Sequence, residues 1–392
     1  MKQVLTILLT MTMFFFISCG EDDSPEETKC NASCLSWEKC VNDACELAVT
    51  DLGFTTGTFP NEMLLNDGAL YLVNSGDNAI QKIDLSDNTN TNPFISLPAN
   101  SNPYYMTIDN NELFVANLTG NSYSRVMLDD ASNVTTTVFE NDEALKGPEG
   151  IAVSSDNIFI TNTNSSTDEN WVTTYSDGFI TLVNKSDNTF NKKITTNQKN
   201  PQRAFVLNNK LFVINSGIVE FDASYIGYPK SDSGIDVLDL SNIDAGFTNT
   251  VIPFTDGKLS GFAGSYSLSN DNKKLYLASG SAPELYSYDI ENNAMLKNTD
   301  NPIIIDTFNS PSSVMLNLTT VEKYLFVVNF NNDNLYILDT EDNYKVVSKL
   351  DIGEDSETME GPQGITYDKI NKKVYIFFGI SKKLISINIS NL

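Results

Sequence analysis

The chain contains no histidine. That removes every mechanism that passes a proton through an imidazole and every metal centre with a histidine ligand. Bases are scarce: 25 Lys and Arg stand against 51 Asp and Glu, for a formal charge of −26. Only two of the bases are arginines, Arg125 and Arg203. So acidic a chain lacks the basic footprint that nucleic acid or an anionic membrane surface requires. Long apolar runs are missing too. The stretch Val4 to Ile17 is shorter than the roughly 20 residues of a comfortable transmembrane helix, and no long helical periodicity follows it. What is present is 41% apolar residues in a chain of 392, enough to bury a core. At about 150 residues per domain the length suggests two or three domains, a prior that large all-β folds often exceed as one unit.

The first residues read as an export signal, with Lys2 as the positive end, Val4 to Ile17 as the apolar stretch and Ser18 as a small residue before Cys19. The tetrad Phe16-Ile17-Ser18-Cys19 resembles a bacterial lipobox, with Phe and Ile where that motif prefers Leu and a small residue. The resemblance implies a signal over residues 1–18, lipidation of Cys19, and a protein anchored to the outer membrane or cell surface. Five acids among residues 20–27 make residues 19–29 a solvated tether, and their place after the Cys is similar to surface-export signals of some Bacteroidetes lipoproteins. The membrane would then be met only through the lipid. The other cysteines, Cys30, Cys34, Cys40 and Cys45, crowd into residues 30–46. In an exported chain this favours two disulfides, with three connectivities open and a four-thiolate zinc site as the rival. The expected product is a rigid bead between tether and main domain, with Trp37 packed inside it.

Internal repetition points to the fold. A short strand ending mostly in Asn recurs seven times: Leu70–Asn74, Leu113–Asn117, Ile158–Asn162, Leu211–Asn215, Leu275–Ser279, Leu325–Asn329 and Val374–Phe378. The copies are β-branched and aromatic, as buried strands are. A third strand ending mostly in Asp follows each copy, as in Gln81-Lys82-Ile83-Asp84 and Tyr336-Ile337-Leu338-Asp339. A first strand, usually opened by Pro, precedes each, as in Gly147-Pro148-Glu149-Gly150-Ile151 and Gly361-Pro362-Gln363-Gly364-Ile365. Outer strands fill the gaps. The pattern predicts an all-β, seven-bladed β-propeller of four-stranded antiparallel blades over residues 47–392. After the last third strand only Ser390, Asn391 and Leu392 remain, too few for an outer strand. The segment 47–54 is expected to supply it and so close the ring.

The unit Leu-Phe-Val-x-Asn followed by Leu-Tyr-Ile-Leu-Asp resembles the YVTN-type propeller repeat of bacterial surface and periplasmic proteins. The Gly-Pro-Gln-Gly-Ile and Gly-Pro-Glu-Gly-Ile segments are similar to NHL-type repeats. The likeness covers residues 47–392 and speaks to fold, since propellers host binding and catalysis alike.

Two places invite a function. From the end of the second strand to the end of the third, blades one, five, six and seven take 10 residues, whereas blade three takes 22 and blade four takes 24. The two insertions carry Trp171, Tyr175, Tyr225 and Tyr228, aromatic anchors for a protein or glycan, or else self-packed loops. The same face should present the residues after each Pro around the central mouth: Tyr104, Glu149, Gln202, Arg203, Ser312 and Gln363. Such a pocket suits a small polar ligand; an idle water-filled channel is the alternative. The recurrent Asn and Asp are expected to shape turns. No segment matches a full calcium loop, so no cofactor or metal is expected. The leading expectation is a non-enzymatic envelope lipoprotein that binds a protein, glycan or wall component. The alternatives are a metal-dependent hydrolase of gluconolactonase or regucalcin type, with Glu149 as its one plausible ligand, and a structural envelope scaffold. Lyases and lactonases with a histidine base are excluded.

Overall fold

The computed structural model describes residues 34–35, 37–41, 44–140, 143–169, 173–221, 227–254, 263–306, 315–354 and 358–389. The apolar repeat strands form the middle of each blade. Ala69–Asn74, for example, is buried at every residue, because a propeller strand of this kind is covered on both faces by neighbouring blades. Its two faces serve different neighbours. Leu70 and Leu72 pack with Tyr375 and Phe377 of the seventh blade, while Tyr71 and Val73 pack with Val115 and Val126 of the second.

Seven antiparallel sheets follow one another along the chain. They occupy 60–96 (blade one), 103–137 (two), 148–195 (three), 201–252 (four), 263–304 (five), 316–351 (six) and 362–388 (seven). The strands within a sheet pair in sequence order, and blade five has a divided outer edge, with Ala294–Lys297 and Ile303–Ile304 both pairing with Glu284–Asp289. Blade seven obtains its outer strand from the other end of the propeller. Val49–Thr55 pairs antiparallel with Lys383–Asn388, in the register Val49↔Ile387, Thr50↔Ser386 and Asp51↔Ile385. The main-chain amide of Thr56 continues the seam by donating to the Lys382 carbonyl at 2.8 Å. The expected closure is therefore present, over Val49–Thr55 where 47–54 was expected. The insertions of blades three and four each fold back as a short hairpin, Ser165–Thr167 with Thr173–Tyr175 and Val219–Phe221 with Gly227–Pro229.

The cysteine-rich segment is a disulfide-stapled hairpin, as expected, but its tryptophan lies elsewhere than expected. Its hairpin, Glu38–Val41 with Ala44–Leu47, is stapled by a Cys34–Cys45 disulfide. Cys40 is also disulfide-bonded, and Cys30 lies outside the described residues, as do Cys19 and the signal. With these thiols oxidised, a four-thiolate zinc site is not available. Trp37 does not stay inside the hairpin. It is 2% exposed and enters the core between blades six and seven, edge-on to Tyr324 at 5.4 Å and Phe326 at 6.0 Å. The hairpin thus leads directly into the closing strand while its tryptophan is held by the blade interface beneath that strand.

Removing a buried indole leaves a cavity that the interface cannot refill, so Trp37→Ala should destabilise the ring by about 3–5 kcal/mol. Denaturant unfolding of the purified chain measures this. A midpoint unchanged by the substitution would mean that the hairpin does not dock.

Candidate functional site

The inner strands surround the axis, and six of the seven carry a pairing irregularity near their start. Pro103 pairs with Asn117 and Tyr105 with Ala116, so Tyr104 is left as an extra residue. The same skip leaves Asn61 extra in blade one, Glu149 in blade three, Gln202 in blade four and Gln363 in blade seven. Blade five is irregular between Ala263 and Tyr266, while Leu316 and Asn317 of blade six pair without a break. Proline suits the position before a bulge because it has no amide proton to donate. A bulge bends its strand and re-aims the side chains around it, here at the mouth of the bore. Close approach of the blades follows: a Cβ on Gly150 would lie 2.5 Å from the Gln202 carbonyl oxygen, so only glycine fits there.

These bulges gather a chamber from five blades. The Arg203 guanidinium of blade four lies over the rings of Tyr105 at 4.7 Å and Tyr104 at 5.4 Å, both from blade two. The Tyr105 and Tyr266 hydroxyls are 3.3 Å apart. Blades two and five face each other across the ring, so this contact bridges the bore and gives the chamber a floor. Tyr266 is stacked on Phe205 at 4.9 Å. Glu62 of blade one and Glu149 of blade three supply two acids.

The charges in this chamber are perturbed by enclosure. Burial pushes the Glu149 carboxyl up to about 7, against the opposing pull of Arg203 and a hydrogen bond from Gln202. Its Oε2 atom is buried and has no hydrogen-bond partner among the described residues. Burial likewise raises Glu62, opposed by Arg203 and by the Met63 amide, which donates to it at 3.1 Å. The Glu149 charge, helped by burial, pushes the Tyr104 phenol up to about 12. Burial works against the Arg203 charge, but the surrounding phenols and acids overcome it and hold the guanidinium ionised.

Of the residues singled out in the sequence, the structure brings Tyr104, Glu149, Gln202 and Arg203 together. Tyr175 belongs to the blade-three hairpin: burial raises its phenol, and the Glu149 charge adds to the effect. Lys199 fastens it by donating to the Tyr175 carbonyl at 2.9 Å. Gln363 is half-buried on blade seven, with its carbonyl accepting from the Asn317 amide. Tyr228 is half-buried in the blade-four hairpin, paired with Glu220. Trp171, Tyr225 and Ser312 lie outside the described residues. Glu62, Tyr105 and Tyr266 were not anticipated. The signal for Glu62 was the same Pro-x-x start, Pro60-Asn61-Glu62.

The repeated amides have another task. Asn74, Asn117, Asn162 and Asn215 are buried and donate to Gln81, Ser124, Thr181 and Asp236, at 2.9 to 3.1 Å. They tie the second strand to the third rather than only shaping their own turns, whereas Asn329 accepts from the Asn331 amide in its turn as expected. The repeated aspartates do shape turns: Asp84, Asp239, Asp289 and Asp339 each accept an amide two residues on. Among the described residues, the acids and thiols that converge within ligand distance are Cys34, Glu38 and Cys45, and two of these form the disulfide. The acids of the bore do not converge in that way.

Because the folded-state pKa of Glu149 lies above its ordinary value, the native chain holds a proton that the unfolded chain releases. Its contribution to stability is greatest below about 4.5 and is lost as pH rises through about 7. Glu149→Gln should therefore be more stable than the natural chain at pH 8, by about 3 kcal/mol at most, and the gap should close at pH 5. Paired thermal melts at the two values check this; an equal gap at both would contradict an enclosed Glu149.

No family model matches the chain, and no curated protein matches it. Solved structures do. A structure described as streptogramin B lyase superposes with a TM-score of 0.63 at 12% identity, covering 87% of this chain and 97% of that one. Hydrazine synthase from Kuenenia stuttgartiensis gives 0.62 at 14% identity, covering 86% and 98%, and the protein U3-55K gives 0.61 at 8%, covering 87% and 98%. At such identities the likeness is one of fold: the chain is a seven-bladed β-propeller.

Proposed function

We propose that this chain is an exported, lipid-anchored binding protein of the cell envelope. In this reading its propeller holds a small polar group, presented by an envelope protein, glycan or wall component, in the chamber at the mouth of the bore. The observation that carries the reading is the state of Arg203 and Glu149. A guanidinium forms no ion pair among the described residues, and a carboxylate oxygen beside it is buried without a partner. Structural charges are normally neutralised where they are buried, because leaving one uncompensated costs several kcal/mol. Ligand sites keep such groups for the molecule they receive. The acidic tether and the resemblance to a lipobox support the address. The blade-three hairpin, with Tyr175 beside Glu149, supports approach from the hairpin face.

A metal-dependent hydrolase draws less support. Its cation would have to share the chamber with Arg203, and the acids there among the described residues are two, Glu62 and Glu149. A purely structural scaffold would have no use for either unpaired group.

Capture of envelope and glycan fractions by the purified chain tests the proposal. Glu149→Ala and Arg203→Lys should each reduce capture at least tenfold while their circular dichroism stays that of the natural chain. Tyr175→Ala should reduce it less, since that side chain borders the chamber without forming its floor. Equal capture by all variants would remove the bore from the function and leave the scaffold.

A further inference from the structure

The chamber offers a donor and an acceptor that do not satisfy each other. The Arg203 guanidinium lies over the rings of Tyr104 and Tyr105, and its N–H groups also reach the Tyr104 hydroxyl. One of them makes a long contact of 3.3 Å to the Gln202 carbonyl. A guanidinium that makes no ion pair among the described residues can receive a carboxylate through two parallel hydrogen bonds. Glu149 is influenced electrostatically by Arg203, yet the two form no ion pair, and its Oε2 remains unpartnered among the described residues. Glu62 is a second acid within electrostatic reach of the same guanidinium.

The chamber gathers one base, Arg203, and two acids, Glu62 and Glu149, whose carboxyls burial pushes upward. A simple anion would satisfy Arg203 but face two carboxylates. A simple cation would satisfy an acid and waste the guanidinium fork. A neutral polyol would bring no charge of its own to either Arg203 or Glu149. A ligand bearing both signs meets the guanidinium and an acid at once.

We infer that the group bound in the bore is a compact zwitterion of the α-amino acid type, its carboxylate on Arg203 and its ammonium on Glu149. This rests on the bore being a ligand site, as proposed above, and adds the chemical class. No bond is made or broken. Binding does move a proton: an ammonium at Glu149 favours the carboxylate, so binding near pH 6 should release a proton that binding at pH 8 does not.

The test is titration of the purified full chain, followed by tyrosine fluorescence and calorimetry. The probes are a panel of free α-amino acids, the N-acetyl and amide derivatives of the best one, and glucose. The free amino acid should bind at least tenfold more tightly than either blocked form. Glu149→Gln should erase the penalty of N-acetylation, and Arg203→Lys should shrink the penalty of amidation. The milder lysine variant keeps the charge and so protects the comparison from misfolding. If a blocked form or glucose binds as well as the free amino acid, the zwitterion is overturned while the ligand site stands. If no probe binds and none competes with captured envelope material that still depends on Arg203, the zwitterion again falls alone. If nothing binds and capture is indifferent to Arg203, both fall.

Discussion

Closing the ring is the constraint on which everything else rests. The middle strands of each blade are apolar on both faces, so each must have a neighbour on either side. An open row of blades would leave the first and last with one face in water and an unpaired edge. The strand Val49–Thr55, paired to Lys383–Asn388, removes both problems. Core clusters then sit at every blade interface, including the one between blades seven and one. Trp37 reinforces the seam from its far side, since the residue lies just ahead of the closing strand and is buried between blades six and seven. The oxidised hairpin is therefore part of the closure as well as a spacer.

A closed ring of inner strands converts local irregularities into a shared site. Each bulge involves one extra residue, and its effect is only to turn a few side chains. Repeated around an axis, these turns point Tyr104, Glu149 and Gln202 toward one small volume. The following residues, Glu62, Tyr105 and Arg203, are aligned with them. The contrast with the other arginine is instructive. Arg125 is held by Glu112 through two hydrogen bonds of 2.8 and 3.0 Å and by the Lys185 carbonyl at 2.7 Å. Its charge is spent on joining strands and blades. Among the described residues Arg203 makes no such ion pair, and Glu62 and Glu149 act on it only at longer range.

The architecture was legible because the repeat is a direct consequence of burial: a strand covered on both faces reads as an uninterrupted apolar run, and seven such runs are visible without coordinates. The closing strand was legible by subtraction, since blade seven lacked an edge. The site was only half legible. Proline marked where the inner strands start, so the residues just after it were named. A bulge, however, breaks the alternation that tells which side chain faces inward, and Glu62, Tyr105 and Tyr266 escaped for that reason. Blade five, which has no proline at its start, gave no marker for Tyr266. The docking of Trp37 was hidden because a single aromatic in a cysteine-rich segment carries no periodic signal for its partner. The recurrent Asn was legible as structural, but its bond to the third strand depends on which polar residue lies opposite, a matter of register.

The scarcity of arginine provides the most direct measurement. Selective 15N labelling of arginine gives side-chain signals from Arg125 and Arg203 alone. Stacking on Tyr104 and Tyr105 should shift the Arg203 guanidinium signals by ring currents, and a Tyr104→Phe, Tyr105→Leu pair should displace them. On addition of the captured envelope ligand, the Arg203 signals should move while those of Arg125 stay in place. Guanidinium signals from Arg203 that exchange with water as an exposed side chain does, and that ignore the ligand, would contradict an enclosed charge held in readiness at the centre of the ring.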